Sequence, residues 1–156
     1  MKLGQALALL MLPVSAAAAG AGGHPVAAIP GVERPERARQ NYILKCQGCH
    51  GPKAQGNSSN TPPMADMIAR FLAVPGGREF LGRVPGVATA AVSDAELAEL
   101  LNWTLYRFDA AHLPPGFKPY GAAEIGKLRK SPLRTEAAST RRVLVDDIFK
   151  GQPAGK

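Results

Sequence analysis

Cys46-Gln47-Gly48-Cys49-His50 is the stretch that decides how this sequence is read. Two thiols stand three positions apart, and an imidazole follows the second at once. Such a pair could belong to a zinc site, but a structural zinc usually takes four ligands. Beyond Cys46 and Cys49 the chain offers only His24, His50 and His112, with no second paired cluster. A thioredoxin-like redox pair belongs at a strand-to-helix turn of a βαβ pattern, and no β-rich run is present. The remaining reading is covalent attachment of haem. Each thiol adds across one vinyl group of the porphyrin, and His50 is held beneath the iron as its proximal ligand.

The N-terminus points the same way. Met1-Lys2 opens with a charge, Leu7 to Leu12 is apolar, and Ala16 to Ala19 supplies small residues. This is the pattern of a secretory signal peptide, residues 1–21, with cleavage expected near Ala19 or Ala21. As a membrane anchor the apolar core is short, and Pro13 interrupts it. Export to the periplasm and haem attachment support each other, because this attachment normally takes place outside the bacterial cytoplasm. No later segment reads as a membrane span.

The chain has 156 residues, and processing leaves about 135, enough for one small domain plus tails. A core of that size is modest, and a buried haem supplies apolar volume. Glycine (17) and proline (14) mark many loops, while strand-forming runs are missing, so the expected class is all-α. The division expected is a leader over 22–33, a haem domain over 34–108, a proline-rich linker over 109–119 and a basic extension over 120–156. The last six residues read as a frayed end. The formal charge is +7, and between Lys127 and Arg142 six basic residues (Lys127, Arg129, Lys130, Arg134, Arg141 and Arg142) stand with one acid, Glu136. Such a run serves as a solvated helix face or as a surface for an acidic protein. Nucleic acid is disfavoured, because no aromatics interleave with these charges.

Pro35 to Lys45 reads as the first helix, with Pro35 at an early helical position. Met64, Met67, Ile68, Phe71 and Leu72 form an apolar stripe over an expected helix from Met64 to Ala73. Pro75-Gly76-Gly77 ends it, Glu79 to Arg83 adds a helical turn, and Val84-Pro85-Gly86 follows. Ser93 and Glu96 form a capping box, opening a helix to about Phe108 with Leu97, Leu100, Leu101, Thr104 and Leu105 in helical phase. Two more helices are expected over Glu124–Lys130 and Glu136–Phe149.

From Arg34 to Phe108 the chain resembles the monohaem class I c-type cytochromes. The resemblance rests on Cys46 to His50, on Tyr42 four residues before the first cysteine, and on the Leu100…Trp103 pair in the last helix of the domain. Ala38 stands where the family keeps a small residue at the helix crossing. Pro62 stands where the family's proline carbonyl accepts a hydrogen bond from the ligand imidazole, which orients the ring and raises its basicity. Met64, two residues on, lines the haem pocket in this comparison. The resemblance implies helices around one haem c, bonded to Cys46 and Cys49 and ligated by His50, with Tyr42, Trp103, Pro62 and Met64 around it.

The departure lies at the sixth iron ligand. The family usually supplies methionine before the last helix, and Val84 stands there. Three explanations remain open: Met64 or Met67 as ligand, His112 from beyond the helix, or an open iron. A linker histidine exposed to water is the favoured role for His112, and packing is the favoured role for Met64 and Met67.

The expected function is electron transfer in the periplasm, single electrons passing between a dehydrogenase or cytochrome and an acceptor. Lys45, Lys53 and the extension would steer an acidic partner. The alternative is a five-coordinate haem protein binding O2, NO, CO or peroxide at an open iron. Enzyme activity is not expected, because no distal acid–base group stands out. The extension either packs back on the haem domain or docks on a larger enzyme, since Val143, Leu144, Val145, Ile148 and Phe149 need cover.

Overall fold

The computed structural model describes residues 28–150. The expected signal segment, the start of the leader, His24 and the last six residues lie outside them. Among the described residues every regular element is helical, in agreement with the all-α expectation.

The first helix, α1 (Pro35–Lys45), has proline in its first turn and buries Ala38 and Tyr42 one turn apart. Its partner is the long helix α5 (Asp94–Asp109), closed at its start by the expected capping box. The Ser93 hydroxyl accepts from the Glu96 N–H at 3.3 Å, and the Glu96 carboxylate accepts from the Ser93 N–H at 3.0 Å. Ala38 has no exposed surface, so the two backbones approach closely there. Tyr42 packs its ring 5.6 Å from Trp103 and 4.9 Å from Phe108, centroid to centroid. Arg37 of α1 pairs with the buried Glu99 of α5, a second bond across the crossing.

The helix expected over Met64–Ala73 is shorter and of another kind. Asp66 adopts a left-handed backbone, φ +56°, which no α-helix continues through. Its N–H donates to the Phe108 carbonyl instead. Only Ala69–Ala73 is regular, as a 3-10 helix. Next come α3 (Gly77–Arg83) and α4 (Pro85–Ala88). Val84 separates them, and Pro85 occupies the first position of α4, where its missing N–H costs nothing.

Residues 109–119 are held at several points. Asp109 is buried and accepts from the Ala69 N–H at 2.7 Å. His112, expected to be exposed, contacts Asp109 through Nδ1 and Arg70 through Nε2. A guanidinium only donates, so Nε2 is the acceptor and Nδ1 carries the proton toward Asp109.

The extension packs back on the preceding helices. It forms α6 (Ala122–Leu128) and α7 (Ala137–Phe149), and Tyr120, Ile125, Leu133 and Leu144 are buried in the same core as Tyr42 and Leu97. Asn102, fully buried in α5, donates to the carbonyls of Gly31 and Tyr120 and accepts from the Tyr120 N–H. The Tyr120 hydroxyl donates to the Arg78 carbonyl at 2.8 Å. Two glycines allow α6 to come this close. A side chain at Gly82 would meet Leu128 at 2.6 Å, and one at Gly126 would meet Asp94 at 2.4 Å.

Arg129, counted with the basic run, is not a free surface charge. It donates to the carbonyls of Ala88, Ala90 and Val92 and pairs with Asp94, tying the loop before α5. Lys127, Lys130, Arg134 and Arg142 are exposed or half-buried.

Two outcomes follow from this packing. Ile125→Ala removes a fully buried side chain and should lower stability by about 2–4 kcal/mol, read from denaturant unfolding followed by circular dichroism. Truncation after Pro119 should abolish the cooperative transition rather than leave a native-like domain.

Candidate haem site

The cysteines and the histidine stand on one turn of helix. α2 (Gln47–His50) follows directly on α1, with the N–H groups of Cys49 and His50 both donating to the Cys46 carbonyl. In that turn Cys46, Cys49 and His50 occupy positions i, i+3 and i+4, which share a face. Cys46 is partly buried and Cys49 is exposed. Burial pushes the Cys46 thiol up to about 11, with neighbouring Cys49 adding to the shift.

The turn is fixed from outside. The Tyr42 hydroxyl donates to the Gly51 carbonyl at 2.6 Å, and the Gly56 N–H donates to the His50 carbonyl at 2.8 Å. His50 Nδ1 lies 3.2 Å from the Pro62 carbonyl oxygen. A carbonyl only accepts, so Nδ1 carries the proton and Nε2 keeps its lone pair free. Burial lowers the imidazole pKa, and the Pro62 bond works partly against that. A neutral imidazole with a free Nε2 and a held ring has the chemistry of a metal ligand.

These residues line a cavity of about 510 Å³. One wall is the segment 45–64, with Lys45, Cys46, Cys49, His50, Pro62 and Met64. Leu97, Leu100, Leu101 and Thr104 of α5 form a second side, and the Thr104 hydroxyl is already bonded to the Leu100 carbonyl. Phe80, Leu81, Val84 and Val87 come from α3, α4 and the residue between them, and Ala137, Ala138 and Arg141 from α7. A largely apolar slot with two thiols and an oriented imidazole on one wall fits a flat apolar macrocycle attached through those groups.

The expected site residues divide into two groups. Cys46, Cys49, His50, Pro62 and Met64 line the cavity together. Tyr42 and Trp103 do not line it; they form the helix crossing behind the motif, and Tyr42 reaches the site only through its bond to Gly51. Met67 packs against the core and is not a lining residue. His112 is also outside the lining, with both ring nitrogens engaged. Sequence reasoning missed Arg141. A signal was present: Ala137, Arg141, Leu144 and Ile148 recur with helical spacing, so an arginine occupies the inward phase of α7.

No protein-family model matches the chain. Two relatives, both named cytochrome c-552, come from Thermus thermophilus, the second from a particular strain of that organism. Each is 33% identical over 116 residues, 63% of this chain; the match covers 88% of the first and 78% of the second. With that likeness added to the held imidazole and the paired thiols, the chain belongs to the c-type cytochromes, whose cofactor is covalently bound haem c.

Proposed function

We propose that the protein is a periplasmic electron carrier with one haem, bonded to Cys46 and Cys49 and ligated by His50. The observation that carries this reading is the single helical turn that presents both thiols and a Pro62-bound imidazole to one apolar cavity. When bound, haem supplies a one-electron change at its iron.

The protein's own work is to hold and shield that group. Tyr42 and Pro62 fix the turn and the ring, so His50 need not reorient when the charge at the metal changes. Leu97, Leu100 and Leu101 exclude water from one side, which with ligand identity tunes the potential. Cys49 and Lys45 stand at the mouth of the cavity, which leaves an edge within reach of a partner. Ile43 and Leu44, 39% and 73% exposed, add apolar area on the same helix end. An apolar contact beside the exposed Lys45 suits an acidic redox protein. Export is supported by the N-terminal pattern, and no helix among the described residues is long and apolar enough to cross a membrane. Single-electron carriage needs no turnover of a substrate, and the protein is read as a carrier rather than an enzyme.

Chemistry at the motif is tested first. Wild-type protein made with haem-attachment machinery should keep its haem on a denaturing gel. Cys46→Ala with Cys49→Ala should lose it, and loss of haem in the wild type as well would sink the reading. His50→Ala should keep covalent haem but lose the imidazole-ligated spectrum. Electron exchange is tested with ferricyanide, an anion, by stopped flow. The rate should fall as ionic strength rises, and Lys45→Glu should slow it several-fold at low salt. Reduction and reoxidation lasting minutes with every mediator would refute electron carriage.

A further inference from the structure

The cavity has two unlike faces. Segment 45–64 is bound to itself around His50: the Met64 N–H donates to the Ala54 carbonyl at 2.8 Å, and the Pro62 carbonyl takes the His50 proton. Met64 is thus tied to the wall that carries the imidazole. The other wall comes from α3, α4 and α7; α3 packs on α4, on α7 and on the 3-10 helix at Ala69–Ala73, and α7 packs on that 3-10 helix too. Its lining residues are Phe80, Leu81, Val84, Val87, Ala137 and Arg141.

Among the described residues, that second wall holds no sulfur, imidazole, carboxylate or amine that could ligate iron. Val84 occupies the place where a donor would be expected, Pro85 starts a short helix at once, and the loop from Thr89 to Ser93 that follows carries no sulfur, imidazole, carboxylate or amine. Arg141 is the wall's one charged side chain. Its guanidinium does not deprotonate in proteins, so it cannot ligate. Its guanidinium makes no hydrogen bond or ion pair among the described residues, and its Cζ lies 5.9 Å from the Phe71 ring centroid. It is partly buried, and burial works against its charged form. A guanidinium on an apolar wall, without a hydrogen-bond partner among the described residues, is free to donate to an acceptor that arrives with or after the cofactor.

We propose that the face opposite His50 is open to a small exogenous ligand of two or three atoms, and that Arg141 hydrogen-bonds the ligand's outer atom. The inference rests on His50 serving as the proximal ligand. The ligand class follows from the wall: apolar residues admit a small uncharged or singly charged molecule, and the guanidinium favours one with an electron-rich outer end. Arg141 is a positioning group for that ligand and moves no proton.

The test uses the full haem-loaded protein, with carbon monoxide on the ferrous form and azide on the ferric form. Retention of haem on a denaturing gel, together with the spectrum of His50→Ala, checks the underlying reading separately. Carbon monoxide should shift the ferrous spectrum at once and to completion, and azide should titrate the ferric form. Arg141→Leu should weaken azide about tenfold, as loss of one charged hydrogen bond does. It should also move the infrared C–O stretch, and Arg141→Lys should restore part of the azide affinity. Should Arg141→Leu not accumulate with haem, Arg141→Gln takes its place. Low-spin spectra that neither carbon monoxide nor azide disturbs would overturn the proposal, because some donor of this chain then closes the face. Unchanged azide affinity and C–O stretch in the Arg141 variants would overturn the role of Arg141. So would an effect confined to the pH dependence of the reduction potential, which would place the guanidinium on the haem carboxylates.

Discussion

The crossing of α1 and α5 at Ala38 is the constraint on which the rest of this structure depends. Ala38 has no exposed surface, so a larger side chain there would press on the packed neighbours. The close approach lets Tyr42 pack on Trp103 and Phe108 while its hydroxyl reaches the Gly51 carbonyl. That bond holds the turn carrying Cys46, Cys49 and His50 at the end of α1. A wider crossing would leave the Tyr42 hydroxyl short of its acceptor, and the motif would hang from a single unbraced helix end. The motif is local in sequence, but its geometry depends on a contact spanning 61 residues, from Tyr42 to Trp103.

The same logic extends to the C-terminal part of the chain. α5 is hydrophobic beyond the face that α1 covers, and Leu97, Leu105 and Asn102 are all fully or nearly fully buried. α6 supplies the missing cover through Ile125, and Asn102 satisfies the backbone of Tyr120 at the entry to it. Arg78 and Glu124 add a charge pair across α3 and α6 at 2.6 Å. A single part-buried pair contributes modestly alone, but Arg78 also donates to the Lys118 carbonyl and lies 4.1 Å from the Tyr120 ring. Charge in this region is therefore partly structural, and the surface left to a partner is smaller than the count of basic residues implies.

Much of this was legible in the sequence where the signal was local. The capping box at Ser93 needs only two residues at fixed spacing, and it forms as read. The pairing of Tyr42 with Trp103, and of His50 with Pro62, followed from a family resemblance and is present in the geometry. What could not be read was set by contacts distant in sequence. Asp66 takes a left-handed backbone because its N–H is drawn to Phe108, so an apolar stripe that looked α-helical over Met64–Ala73 becomes a turn and a 3-10 helix. His112 looked like a linker residue because its partners, Asp109 and Arg70, meet only after folding. Arg129 looked like a surface charge for the same reason: its acceptors are carbonyls some 40 residues away.

Arg141 carries this reasoning furthest. In a helix whose other inward positions are Ala137, Leu144 and Ile148, an arginine costs packing and desolvation, and among the described residues only the Phe71 ring, 5.9 Å from its Cζ, faces the guanidinium. An arginine at such a position is retained at a cost in stability unless something outside the polypeptide accepts its hydrogen bonds. The α3–α4 corner beside it is compact, with Pro85 following Val84 directly, so the wall contains apolar surface and one stranded donor. α7 thus helps to complete the cavity and, among the described residues, brings the one charged group to that wall. Between His50, fixed from behind by Pro62, and Arg141, fixed by α7 on Phe71, the cofactor would have one side bound to protein and one side facing a donor that awaits an acceptor.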